Sequence, residues 1–139
     1  MSIEIPPSTE DVIHHSTFRF AGTYVWARAA AVRDAGQHLM IARDERETTV
    51  VTTPEGLAAA DVIEVNPDRW LLLSIDCAHP FYCVGFIAKL SAALSDAGLD
   101  ILVVSTFSRD WVFVKEGDAP RAADVLASAG FARAEETLR

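Results

Sequence analysis

The side chains able to do chemistry are few and lie far apart along the chain. Cys77 and Cys83 are the only cysteines, with His79 between them, and His14-His15 stand near the start. Nucleophilic catalysis needs a thiol or hydroxyl beside an oriented base. Structural zinc needs Cys and His at ligand spacing. Neither pattern is visible. No phosphate-cradling loop and no Gly-x-Gly-x-x-Gly fingerprint occurs. These readings point to a protein with no metal and no cofactor that is not an enzyme. The two cysteines read as semi-buried packing residues.

A stronger signal for binding surrounds Gly85. Val84, Ile87, Ala88, Ser91, Leu94 and Ala97 step by three and four and end before Gly98, which predicts a helix with a glycine stop. The first amides of such a helix have no intrahelical acceptors and carry a partial positive charge. They suit a carboxylate, and a glycine lets it approach the backbone. Further on, Ser105-Thr106 offers hydroxyls and backbone groups at a strand end, and Asp110 offers a partner for an ammonium or guanidinium. Arg109 sits beside Asp110, where its charge could neutralise the carboxylate and favour an anionic ligand instead. Each of these residues also has a purely structural reading. Gly85 serves helix–sheet packing, Ser105 and Thr106 end a strand, and Asp110 is a turn former.

Elements that must position these groups follow from the apolar pattern. The polar segment 1–16, with Pro6-Pro7, reads as an N-terminal arm. Phe18, Phe20, Tyr24 and Trp26 alternate as in a strand, broken near Gly22. The alanine-rich stretch 27–35 is ambiguous. Leu39-Met40-Ile41-Ala42 and Thr48-Thr49-Val50-Val51-Thr52 flank a charged turn, as in a hairpin. Thr53-Pro54-Glu55 opens a short helix to about Ala60. The turn at Asn66-Pro67-Asp68 marks a boundary. Beyond it come a buried strand (Trp70 to Ile75), the Gly85 helix, strands at 99–106 and 111–114, a helix at 121–129 stopped by Gly130, and a final edge strand over 131–138. This β-α-β-β-α-β order is the split βαβ, ferredoxin-like arrangement, α+β with an antiparallel sheet and both helices on one face. The expected organisation is an arm over 1–16, one subdomain over 17–66 and a second over 67–139.

Composition narrows the class of partner. Of 139 residues, half are apolar and 23% charged, which supports a packed core. Lys and Arg number 12 against 20 Asp and Glu, a net charge of -8. With no basic run, binding to nucleic acid or to an anionic membrane surface is not expected. No stretch approaches the roughly 20 apolar residues of a membrane span, and the start lacks the features of a secretory signal. A cytoplasmic protein with reduced thiols is the expectation.

Three segments together resemble the ACT domain. They are Phe81-Tyr82-Cys83-Val84-Gly85-Phe86-Ile87-Ala88, the helix exit Leu94-Ser95-Asp96-Ala97-Gly98-Leu99-Asp100-Ile101, and Val104-Ser105-Thr106-Phe107-Ser108-Arg109-Asp110-Trp111-Val112-Phe113-Val114. Glycine positions and strand spacing agree with the family pattern over about Trp70 to Phe131. The chain is similar to small bacterial two-ACT proteins and to the ACT pairs of the CASTOR arginine sensors. In the first half, Ala42-Arg43-Asp44-Glu45-Arg46-Glu47-Thr48-Thr49-Val50-Val51 stands where those proteins carry a glycine-containing hairpin, and the glycine is missing. The resemblance implies tandem ferredoxin-like ACT units, a homodimer, and a regulatory site for a small molecule, an amino acid above all, at an ACT–ACT interface. It places Cys83, Val84, Gly85, Phe86, Ser105, Thr106, Phe107 and Asp110 at that site. In the CASTOR sensors Thr, Phe and Asp at the spacing of Thr106, Phe107 and Asp110 contact arginine, and Arg109 departs from that pattern. Two rivals stand beside this reading: a protein–protein interaction module without a ligand, and a small ferredoxin-like enzyme using Cys83, Asp110 or His79.

Overall fold

The computed structural model describes residues 7–134. These fall into two compact units. One combines 7–21 with 72–134, and the other is Gly22–Leu71. The second unit is therefore inserted into the first after its opening strand. Gly22, with φ of 109°, stands at the first crossing point.

In the larger unit, the expected N-terminal arm contains a short helix, α1 (Thr9–His14), over part of its length. Ser8 caps it by accepting from the Asp11 amide at 3.1 Å, and Val12 and Ile13 are buried beneath it. The Ser-x-x-Asp spacing is a capping signal legible in the sequence. Strand β1 (Thr17–Val32) follows, and its first residues belong to this unit. After the inserted unit come β5 (Trp70–Asp76), α2 (Phe86–Asp96), β6 (Ile101–Ser105), β7 (Arg109–Lys115), α3 (Ala119–Ser128) and the short β8 (Ala132–Arg133).

The strand order is β6, β7, β5, β1. Strands β6 and β7 pair antiparallel, with Ser105 opposite Asp110. The last strand pairs not with β5 but parallel to β1, Thr17 opposite Ala132. The remainder of the expected edge strand, 135–138, lies outside the described residues. Both long helices end on a glycine as anticipated. Leu99 N–H reaches back to Leu94 O and Gly98 N–H to Ser95 O, and Phe131 and Gly130 repeat the pattern on Leu126 and Ala127. This is the Schellman arrangement, which places an apolar residue against the helix just after the glycine; Leu99 and Phe131 are buried accordingly.

Phe18, Leu73, Ile75, Leu90, Leu94, Val112, Phe113, Val114 and Leu126 form the buried interior of this unit. Each is worth about 1.5–3 kcal/mol of apolar burial. Helix α1 is tied to the start of α2. Thr9 Oγ1 donates to Val84 O at 2.7 Å, and Lys89 pairs with Glu10. The hydrogen bond from Lys89 holds the Glu10 carboxyl below its ordinary range.

The inserted unit runs from the end of β1 through β2 (His38–Arg43), β3 (Thr48–Thr52) and β4 (Ala60–Val65). Its order is β2, β3, β1, β4, the ferredoxin-like order, with single 3-10 turns at Ala35–Gln37 and Glu55–Ala59 in place of helices. The ambiguous alanines extend β1 because Ala27 and Ala29 pack with Val50 and Ala60. Tertiary burial overrides their helical preference. The expected hairpin is present, its turn held by Asp44 Oδ1 accepting from the Arg46 and Glu47 amides at 2.8 and 2.9 Å. The short helix expected after Thr53 is the second 3-10 turn, and strand β4 follows it directly.

Candidate functional site

The larger unit contains a pocket of about 220 Å³ where the β5–α2 loop meets the β6–β7 hairpin. Three pieces of chain build it. The first is the loop after β5, which contributes Cys77, His79, Pro80 and Phe81. It is anchored by the Ala78 amide donating to Ser16 Oγ at 2.9 Å. The second is the start of α2. Gly85 is its N-cap, with φ of 86° and ψ of -1°, and no side chain caps the helix. Phe86 N–H is taken by Cys83 O, and the first bond of the helical ladder is Lys89 N–H to Gly85 O at 3.0 Å. The amides of Ile87 and Ala88 precede that bond and have no acceptor within the helix. A Cβ at Gly85 would meet nothing closer than Thr9 Oγ1 at 3.7 Å. The glycine is thus set by backbone conformation and not by crowding.

The third piece is the β6–β7 hairpin. Thr106 N–H donates to Arg109 O at 2.7 Å, and Arg109 N–H donates to Thr106 Oγ1 at 3.1 Å. This closes a two-residue turn at Phe107-Ser108. Opposite one another on the strands, Ser105 Oγ donates to Asp110 Oδ1 at 2.6 Å. Arg109 does not simply lie against its neighbour, because its Nε reaches Asp76 Oδ1 at 3.1 Å.

Of the residues singled out from the sequence, Cys83, Phe86, Ser105, Thr106 and Asp110 line this pocket. Val84, Gly85 and Phe107 do not. Val84 points outward, 93% exposed, and serves through its carbonyl. Gly85 shapes the backbone. Phe107 is 81% exposed and meets Phe81 edge-on, ring centroids 5.1 Å apart. Phe81 itself adopts φ of 70°, an unusual conformation for an aromatic residue. Cys77, His79, Pro80, Phe81, Ile87 and Arg109 complete the wall. The sequence reading did not count them among the site residues, although Phe81 and Ile87 lie in the segment that carries the family resemblance.

Both cysteines are free. Burial pushes the Cys77 thiol upward, with the Asp110 carboxylate adding to the effect against hydrogen bonds from the His79 backbone and Ser16. A thiol so placed remains protonated at neutral pH and is a poor nucleophile. The Nδ1 of His79 is buried without a hydrogen-bond partner. Among the described residues no three His, Cys, Asp or Glu side chains converge on a metal position. No helix there is long and apolar enough to cross a membrane.

No curated protein sequence matches the chain. Among solved structures, a protein from Agrobacterium tumefaciens is similar at 28% identity and a TM-score of 0.72, covering 88% of this chain and 95% of the other. A Vibrio cholerae protein described as of unknown function and a possible transport protein matches at 19% identity and a TM-score of 0.70, covering 87% and 94%. The regulatory subunit of aspartate kinase from Thermus thermophilus shares the fold at 12% identity and a TM-score of 0.55, covering 82% and 95%. Residues 65–128, which hold the α2 N-terminus and the hairpin that frame the pocket, match the family model of the ACT domain, and the fold is α+β and ferredoxin-like.

Proposed function

We propose that this protein is a regulatory sensor that binds an amino acid in the pocket between the α2 N-terminus and the β6–β7 hairpin. The observation that carries this reading is the pairing of an uncapped helix start with a hydrogen-bonded carboxylate across one opening. The ligand's carboxylate is received by the amides at the start of α2, its ammonium by Asp110, and its side chain by Phe81, Phe86 and Ile87. About 220 Å³ lies below the volume of drug-sized sites and suits a single amino acid.

The inserted unit, with its ferredoxin-like strand order, acts in this reading as a second ACT unit. The working form is a cytoplasmic homodimer in which another ACT unit closes the site. Phe81, Tyr82, Val84 and Phe107, all strongly exposed at the pocket's rim, supply the apolar surface for that closure. Ligand binding favours one packing of the units by binding it more tightly than the other.

Calorimetry and thermal-shift measurements with the twenty amino acids test the proposal. It expects saturable binding of at least one amino acid below millimolar concentration, weakened by Asp110→Ala. No binding at millimolar ligand would reject it. The same exposed rim also favours a second reading, an interaction module without a ligand, which predicts a stable oligomer or partner complex and no thermal shift with any metabolite.

A further inference from the structure

Arg109 meets the carboxylate of Asp76, although Asp110 is its neighbour along the chain. Asp76 ends β5, Arg109 begins β7, and these strands are neighbours. Arg109 Nε lies 3.1 Å from Asp76 Oδ1. The next residue, Asp110, faces Ser105 across the β6–β7 ladder and accepts its hydroxyl proton at 2.6 Å. Arg109 and Asp110 both line the pocket, whereas Asp76 lies outside its wall. Were Arg109 to turn to Asp110 instead, the pocket's carboxylate would be neutralised and its wall would lose the negative charge that attracts an ammonium.

Building on the sensor reading above, we propose that Asp76 is a positioning residue that sets the charge preference of the site. By holding Arg109 it leaves the Asp110 carboxylate open to the ligand's cationic group. The backbone geometry favours this division of labour. Arg109 is clamped at both its N–H and its C=O by Thr106, so its side chain departs from a fixed origin. The Asp76 and Arg109 side chains are about half exposed, and such pairs contribute little to stability. Loss of the pair thus changes recognition and not folding.

The test uses Asp76→Asn, Arg109→Gln and the double variant. The probes are the amino acid that binds most tightly in the panel and the carboxylic acid of the same carbon skeleton lacking the amino group. In the wild type the amino acid is favoured at least tenfold over its des-amino counterpart. In Asp76→Asn that ratio falls fivefold or more, and adding Arg109→Gln restores it. An unchanged ratio in Asp76→Asn, or no restoration in the double variant, overturns the assignment. If no amino acid binds the wild type, the sensor reading itself fails. The ion-pair choice is then read without ligand from the Arg109 Nε–H resonance. Asp76→Asn moves it, and Asp110→Asn moves it only in the Asp76→Asn background. An Asp110→Asn shift in the wild-type background as large as that of Asp76→Asn overturns the proposal.

Discussion

Replacing Gly85 with alanine isolates the role of backbone conformation in building the site. The residue holds φ of 86°, and an added Cβ would make only ordinary contact, 3.7 Å from Thr9 Oγ1. No steric clash therefore enters, and the cost is that of a left-handed conformation for an L-residue, about 1–2 kcal/mol. For a chain of this length that lowers the melting temperature by about 3–10 °C. Gly117→Ala is the control. It has open space around its Cβ position and no positive φ, so its stability changes by no more than about 0.5 kcal/mol. Gly85→Asn, which tolerates the left-handed region better, falls between the two. If the alanine variant relaxes to a negative φ, the first amides of α2 turn away from the pocket. Each charge-assisted hydrogen bond lost is worth about 1.5–3 kcal/mol, so the affinity for a bound amino acid drops at least about tenfold. Differential scanning calorimetry and isothermal titration read the two effects separately. A Gly85→Ala protein that melts with Gly117→Ala refutes the conformational argument. One that melts low but binds the ligand unchanged refutes the placement of the carboxylate at the α2 amides.

Two further predictions concern titrating groups. In a Cys83→Ser background, alkylation of Cys77 by iodoacetamide accelerates with a pH midpoint above the ordinary thiol range, because burial raises that thiol; a midpoint at or below that range contradicts the assignment. Glu10 is held below the ordinary carboxylate range by Lys89. Its stabilising contribution is therefore full above about pH 4.3, the ordinary value, and is lost as pH falls through the lower folded-state value. The difference in melting temperature between wild type and Glu10→Gln stays constant from neutral pH to about pH 5 and shrinks at lower pH; a constant difference down to pH 2 removes this pair from the account.

Local sequence determined the punctuation and the periodic elements. The glycines after α2 and α3, the apolar period of α2, the charged hairpin turn at Asp44 and the alternating start of β1 are decided by bonds among near neighbours, and they were legible for that reason. The helix start at Gly85 and the strand end at Ser105 were legible likewise, because both are local features. Tertiary structure decided the rest. The alanines of β1 are strand because β3 and β4 bury them. The slot beside β5 is filled by β1 and not by β8, since pairing between strands so far apart along the chain leaves no local trace. Arg109 reads in the sequence as the neighbour of Asp110, yet its charge is directed to Asp76, a partner brought near only by the adjacency of β5 and β7. A side chain's charge is written in the sequence, but which opposite charge it meets depends on which strands lie side by side.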